Sequence, residues 1–270
     1  MKSAAFDYAR PATLAEASSL LLDDPYGSRI LSGGQSLGPM LNLRLVQPAR
    51  LIDVRKIQEM TAVDRDGDAL ILGGCVTHSN IEDGKAPDIA NGMMARVAAG
   101  IACRAVRNRG TIGGSLAHAD PAADWPVCLM ALGAEVVLCG RAGRRHLDLC
   151  EFLTGPFETA IELGEVLCSI RIPSVSPGSR WGYYKFCRKA GEFAETMAAV
   201  LIDQDRNTAR AVIGATEGKL IVIEEDFAPG PDFDNAQAVA WIEAFLPDLD
   251  PYKRRLHVAA LRRAVVEAVG

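Results

Sequence analysis

Thr111-Ile112-Gly113-Gly114-Ser115-Leu116-Ala117-His118-Ala119-Asp120-Pro121-Ala122-Ala123-Asp124 is a paired glycine followed by small residues and two carboxylates, with Pro121 closing the run. A second stretch repeats its opening: Ser32-Gly33-Gly34-Gln35-Ser36-Leu37 follows the apolar Ile30-Leu31. Each reads as a short strand running into a glycine turn rich in hydroxyl side chains. Glycine admits positive φ and lets a ligand approach where a Cβ would stand. Successive N–H groups in such a turn form a concave anion site. Two such loops in one chain point to an extended ligand containing a diphosphate. The rest of the sequence reads as the scaffold that holds them.

The chain has 270 residues, 49% of them apolar. That length exceeds the usual single domain, so two or three units with real cores are expected. A net charge of −5 argues against a nucleic-acid partner. No apolar run reaches the length of a membrane span, and Met1-Lys2-Ser3-Ala4-Ala5-Phe6-Asp7 lacks the apolar core of a signal peptide. The expectation is a cytoplasmic protein that meets a membrane only through partners. Seven cysteines, Cys75, Cys103, Cys128, Cys139, Cys150, Cys168 and Cys187, are scattered without C-x-x-C spacing. They read as reduced, mostly buried thiols, so no metal site is assigned and redox chemistry falls to an organic cofactor.

Residues 1–55 form a first unit. Thr13-Leu14-Ala15-Glu16 is a capping-box pattern opening a helix with Leu14, Ala17 and Leu21 on one face. Arg29-Ile30-Leu31 is a strand feeding the first glycine loop, Leu37 to Leu45 a short helix, and Arg50 to Val54 the next strand, together a small βαβ-like subdomain. In a second unit, 56–175, Ala69–Gly74 and Cys75–Thr77 read as strand, turn, strand. Asp88 to Arg107 is the longest helical pattern there, with Ile89, Met93, Val97 and Ile101 every four residues. Glu135–Cys139, Arg145–Leu149 and Val166–Ile172 are its later strands. Pro173-Ser174-Val175-Ser176-Pro177-Gly178-Ser179 is a linker. The third unit, 176–270, reads as an antiparallel meander and two helices, from about Asn235 to Phe245 and Tyr252 to Val269.

Neither loop is a Walker motif or G-x-G-x-x-G. Taken singly, the first reads as an ordinary strand-to-helix turn and the second as an Asx-type turn closed by Pro121. Together they favour a dinucleotide site, with carboxylates accepting from sugar hydroxyls. His118 fits packing or a loop hydrogen bond better than a ligand role. Arg104, Arg107 and Arg109 read most simply as helix-end cations. Lys185, in the aromatic strand Tyr183-Tyr184-Lys185-Phe186, reads equally as a surface lysine or a ligand contact. No set of side chains offers acid–base machinery.

The two loops, with Val106-Arg107-Asn108-Arg109-Gly110 leading into the second, resemble the FAD-binding medium subunits of the molybdenum hydroxylase family, which includes aerobic carbon monoxide dehydrogenase and the flavin segment of xanthine dehydrogenase. The likeness extends through Gly155-Pro156-Phe157, Glu165-Val166-Leu167, Lys185-Phe186-Cys187-Arg188-Lys189-Ala190, Glu192-Phe193-Ala194 and Tyr252-Lys253-Arg254-Arg255. It implies an α+β protein: a two-subdomain FAD-binding fold of the PCMH/VAO-like type followed by a C-terminal α/β domain with an antiparallel sheet and helices. It also implies a heterotrimer, doubled in the assembly. A large subunit carries the molybdopterin cofactor and a small iron-sulfur subunit carries two [2Fe–2S] clusters. Electrons from those clusters reach the FAD of this chain and leave for an external acceptor. Carried over by position, Ile30, Leu31, Ser32, Gly33, Gly34, Gln35, Ser36 and Leu37 should line the FAD diphosphate. Thr111, Ile112, Gly113, Gly114 and Ser115 should hold the diphosphate and neighbouring sugar-like groups, with Asp120 beside them and Asp124 accepting a cofactor hydroxyl. Ile101, Leu167 and Lys185 match positions that touch FAD. The alternative is a free-standing FAD-dependent oxidase or dehydrogenase of related fold, which would need a substrate pocket with its own acid or base. The stretch Glu224 to Phe233 stands where the family has a fuller segment.

Overall fold

The computed structural model describes residues 2–270. Asp7–Ala9, Ser28–Leu31 and Arg50–Asp53 make a three-stranded parallel sheet with Arg50–Asp53 in the centre. Parallel neighbours need crossovers, and the helices Leu14–Asp23 and Leu37–Asn42 supply them. Thr13 caps the first helix by accepting from Glu16 N at 3.2 Å, while the Glu16 carboxylate accepts from Ala12 N at 2.8 Å. The expected box therefore closes one residue early. Leu14, Ala17 and Leu21 are buried as their spacing predicts, against Ile52, Val54 and, from the next unit, Val137, Cys139 and Val166.

The second unit is built on a five-stranded antiparallel sheet ordered Val63–Asp66, Ala69–Gly73, Val166–Ile172, Glu135–Gly140, Gly143–Asp148. Two expectations fail here. Cys75–Thr77 is not a strand: the partner of Ala69–Gly73 is Val63–Asp66, joined through the turn at Gly67 (φ +61°). The pattern from Asp88 to Arg107 is not one helix but two, Met93–Ala99 and Arg104–Arg107. Asn91 (φ +48°), Gly92 (φ +87°) and Ala102 (φ +44°) leave the helical region, and Arg107 Nη1 donates to the carbonyls of Ile101 and Ala102 at 2.9 and 3.0 Å. The broken segment still buries Ile89, Met93 and Val97 in one core with Trp125. A helical repeat of apolar residues reports which side faces the core, not that the helix is continuous.

The third unit is the antiparallel meander Arg180–Phe186, Thr196–Asp203, Thr208–Gly214, Ile221–Ile223 in sequential order. Thr196–Asp203 is buried at every position, as a strand covered on both faces must be. The helices Asn235–Phe245 and Pro251–Val269 cover one side. Met197, Ala199, Leu201 and Val212 pack on the other side into the core of the second unit. The segment 224–233 is anchored by buried Phe227 and Phe233, which lie edge-on to each other at 6.3 Å. The linker is tied at both sides: Asn91 Nδ2 donates to Ser176 O at 3.1 Å, and Ser176 N donates to the buried Asp203 at 2.8 Å. Among the described residues no helix is long and apolar enough to cross a membrane.

Candidate cofactor site

The strand Ser28–Leu31 ends at Ser32, so the first loop leaves the carboxyl end of a parallel sheet, where open sheets bind ligands. Gly34 has φ +71°, and Gly33, Gly113 and Gly114 do not have positive φ. Gly33 is there for proximity: a Cβ on it would overlap the carbonyl oxygen of Arg109. No N–H from Ser32 to Ser36 donates to a protein acceptor among the described residues. Five consecutive N–H groups are thus uncommitted within the protein; of these residues Ser32 lines the cavity described below, and Gly33 to Ser36 continue away from it.

Thr111–Ser115 is not a turn but the start of the helix Ile112–His118. Thr111 Oγ1 accepts from Gly114 N at 3.1 Å, which caps it. Ile112 N donates to Val76 O at 3.0 Å, Gly113 N to Gly74 O at 3.1 Å, and Ser115 N to Thr111 O at 3.0 Å. The expected amide cradle of the second loop is therefore already bonded within the protein. What remains to a ligand there is the hydroxyl of Ser115 and the glycine surface itself. A Cβ on Gly113 would lie 2.6 Å from Gly74 Cα, so this glycine serves backbone packing.

The two loops touch. Ser32 Oγ and Thr111 Oγ1 are 2.8 Å apart, and Ser32 Oγ is 3.1 Å from Cys75 Sγ. Burial pushes the Cys75 thiol up to about 11, which keeps it protonated and unreactive. Beside this junction opens a cavity of about 350 Å³, within the size range of small-molecule sites. Ile30, Ser32, Gly113, Gly114 and Leu167, all expected in the site, line it. Two walls were missed from sequence: Pro25, Ser28 and Arg29 before the first loop, and Ile161 to Glu165 before Leu167. Arg29 is the one cation among the described lining residues; its place in the strand that feeds the first glycine loop was the available signal.

Behind the first loop, Asp53 lies opposite Leu31 and is fully buried. It accepts from Arg55 Nη2 at 2.6 Å, from Arg55 Nε at 2.9 Å, and from the Tyr8 hydroxyl. Burial raises its pKa, but the hydrogen bonds from Arg55 and Tyr8 prevail and hold it well below the usual carboxylate range. Behind the second loop, His78 Nδ1 accepts from Trp125 Nε1 at 2.9 Å. Burial, with the charge of Arg107, lowers His78 to about 4, so it is neutral at pH 7.

The other expected residues lie elsewhere. Asp120 Oδ1 accepts from Ala122 N at 2.9 Å, the Asx-type turn, and lines a separate small cleft. Ile101 is half-buried in the turn between two helices, its carbonyl on Arg107. Asp124 and Lys185 form a buried ion pair, with Nζ 3.0 Å from both carboxylate oxygens. Neither lines the cavity. Arg104 and Arg107 pair with Glu82 and Asp83 rather than reaching toward the loops. His118 packs tilted against Phe157, with ring centroids 5.3 Å apart.

A small parallel unit, an antiparallel sheet and two glycine segments closing on one cavity define a two-part FAD-binding fold. Residues 4–175 match the family described as the FAD binding domain in molybdopterin dehydrogenase. The chain belongs to that family. It is 34% identical over 282 residues to the nicotine 6-hydroxylase medium subunit of Paenarthrobacter nicotinovorans, covering 99% of both chains. Among solved structures it superposes on quinoline 2-oxidoreductase from Pseudomonas putida 86 with a TM-score of 0.86 and 33% identity, covering 100% of this chain and 98% of that one. On carbon monoxide dehydrogenase from Hydrogenophaga pseudoflava the TM-score is 0.89 at 29% identity, covering 99% and 98%. The chain is an FAD-binding medium-type subunit of an oxidoreductase family.

Proposed function

We propose that this chain holds FAD between its two glycine segments and relays electrons within a molybdenum hydroxylase. In that reading electrons arrive from the [2Fe–2S] clusters of a small partner and leave to an external acceptor. Substrate is oxidised at the molybdopterin cofactor of a large partner, so this chain needs no acid or base of its own. The assembly is a dimer of heterotrimers in the cytoplasm, and the chain divides at about residues 55 and 175. The relatives' names point to substrates from carbon monoxide to N-heterocycles, a choice made on the large partner.

The observation that carries this reading is the junction of Ser32 and Thr111 beside the cavity, with five uncommitted amides on one side. The amides of Ser32 to Ser36 take the diphosphate, with Arg29 at hand to balance its charge. Leu167 and Ile30 give one ring system an apolar wall. Gly113 and Gly114 present their backbone surface to the chain of the cofactor. Asp124 and Lys185 meet a more distant polar group of the cofactor, and Ile101 lies along its course. FAD, when bound, accepts electrons singly and can release them as a pair.

The purified chain should be yellow and release one equivalent of unmodified FAD on acid treatment. Recovery of a folded, colourless chain that takes up no added FAD would defeat the reading. Co-purification of a molybdopterin-binding chain and an iron–sulfur chain, in equal amounts, tests the partners.

A further inference from the structure

Tyr183 is buried in the strand Arg180–Phe186. Its hydroxyl donates to Asp124 Oδ1 at 2.7 Å. Lys185 is two residues along and so points to the same face of the strand. It donates to Oδ1 and Oδ2, each at 3.0 Å. An ionised carboxylate has about four acceptor positions, two per oxygen. Oδ1 is filled by tyrosine and lysine together, whereas Oδ2 has the lysine alone. The ammonium has three protons, two of them given to Asp124. The pair therefore keeps one acceptor position on Oδ2 and one donor on Nζ, a combination suited to a hydroxyl that both donates and accepts.

We propose that Tyr183 is a positioning residue for the cofactor: by occupying Oδ1 it dictates which oxygen of Asp124, and so which face of the Asp124–Lys185 pair, meets a cofactor hydroxyl. This rests on the reading above that Asp124 and Lys185 contact FAD. Burial, and then the charge of Asp124, holds the Tyr183 hydroxyl well above its ordinary pKa, so it remains a donor at neutral and mildly alkaline pH. Without that hydroxyl both carboxylate oxygens are equivalent to Lys185 and the pair loses its fixed orientation.

The test is a cycle of Tyr183→Phe, Asp124→Asn and the double variant in the full chain. Affinity is measured for FAD and, separately, for its two halves FMN and ADP. Tyrosine to phenylalanine removes one oxygen and adds no volume, and melting of the FAD-free proteins checks the fold. Tyr183→Phe should weaken FAD on the order of tenfold, the worth of a hydrogen bond to a charged group. It should weaken only one of the two halves, and it should add nothing to the loss caused by Asp124→Asn. Equal losses for FMN and ADP, an unchanged affinity for FAD, or a double variant whose loss is the product of the single losses would overturn the role of Tyr183. A wild-type chain that takes up no FAD would instead remove the function on which it rests.

Discussion

The two glycine segments look alike in sequence and do different work. In Ser32–Ser36 the backbone N–H groups have no protein acceptor among the described residues, and one glycine, Gly34, is there for a positive φ. In Thr111–Ser115 the amides of Ile112, Gly113, Gly114 and Ser115 are bonded to Val76, Gly74 and Thr111, and the glycines keep helical φ. The first segment is a donor surface. The second is a fulcrum: its helix sits backbone to backbone on Gly74, and its cap residue grips Ser32. A Gly-Gly pair thus signals that something comes close, and only the structure says whether that is a ligand or another strand of the same chain.

Gly113→Ala should show this difference most strongly. The new Cβ would lie 2.6 Å from Gly74 Cα and 2.7 Å from Gly74 O, atoms that move only if the backbone does. Overpacking against backbone should cost about 3 kcal/mol, seen as a lower denaturation midpoint in urea with or without FAD. Wild-type stability in this variant would mean that the second segment is no fulcrum.

Acid should loosen the same side. His78 has its folded pKa lowered to about 4 from 6.5 by burial, so the native state favours the neutral ring. Its stabilising share is complete above pH 6.5 and is lost as pH falls from 6.5 toward 4. Protonation would also set Nδ1–H against the Trp125 N–H it now accepts. At about 1.4 kcal/mol per pH unit, the loss by pH 5 is about 2 kcal/mol. His257, buried in the third unit on Thr196 and also lowered to about 4, should give a similar slope. His78→Gln should therefore halve the acid slope measured by denaturation between pH 6.5 and 5. An unchanged slope would show that His78 already titrates normally.

Gly34→Ala separates the segments from the other side. At φ +71° an alanine is strained by about 1–2 kcal/mol, with only Leu31 Cδ1 nearby, at 3.2 Å. The fold should survive, while distortion of the donor row should weaken FAD by more than the stability change alone. Calorimetric titration that finds FAD affinity intact would mean the open amides of Ser32–Ser36 are not the diphosphate site.

Much of this was legible in the sequence where local signals and burial agree. The meander is drawn by runs such as Met197–Ile202, because a strand buried on both faces has only apolar choices. The last helices announce themselves through Asp234 with Gln237, a reciprocal capping box, and Asp250 before Pro251. Val63–Asp66 was missed because all four residues are exposed and carry no apolar alternation; the Asp66-Gly67 turn was its only mark. The single helix expected from Asp88 to Arg107 failed at Asn91-Gly92, a turn dipeptide that the apolar period masked, and at Ala102, where positive φ carries no sequence mark. For the site, Gly113-Gly114 and Ser32 named part of the cavity lining, but its walls at Pro25, Ser28 and Arg29 and at Ile161–Glu165 carry no motif. The pairing of Asp124 with Lys185, 61 positions apart, could be read only once the third unit was packed on the second.

The smallest effect tests the junction itself. Thr111 does two jobs, capping Gly114 N and meeting Ser32 Oγ, whereas Ser32 is shared between Thr111 and Cys75. Thr111→Val should cost about 1–2 kcal/mol, mostly the lost cap, and Ser32→Ala about 1 kcal/mol or less. Their coupling in a double-variant cycle isolates the bond between the segments and should be on the order of 0.5–1 kcal/mol. If donor surface and fulcrum form one site, saturating FAD should raise that coupling, because a ligand bound across both segments resists their separation. A coupling near zero in both states would mean that the segments are neighbours without being joined, and that each meets the cofactor independently.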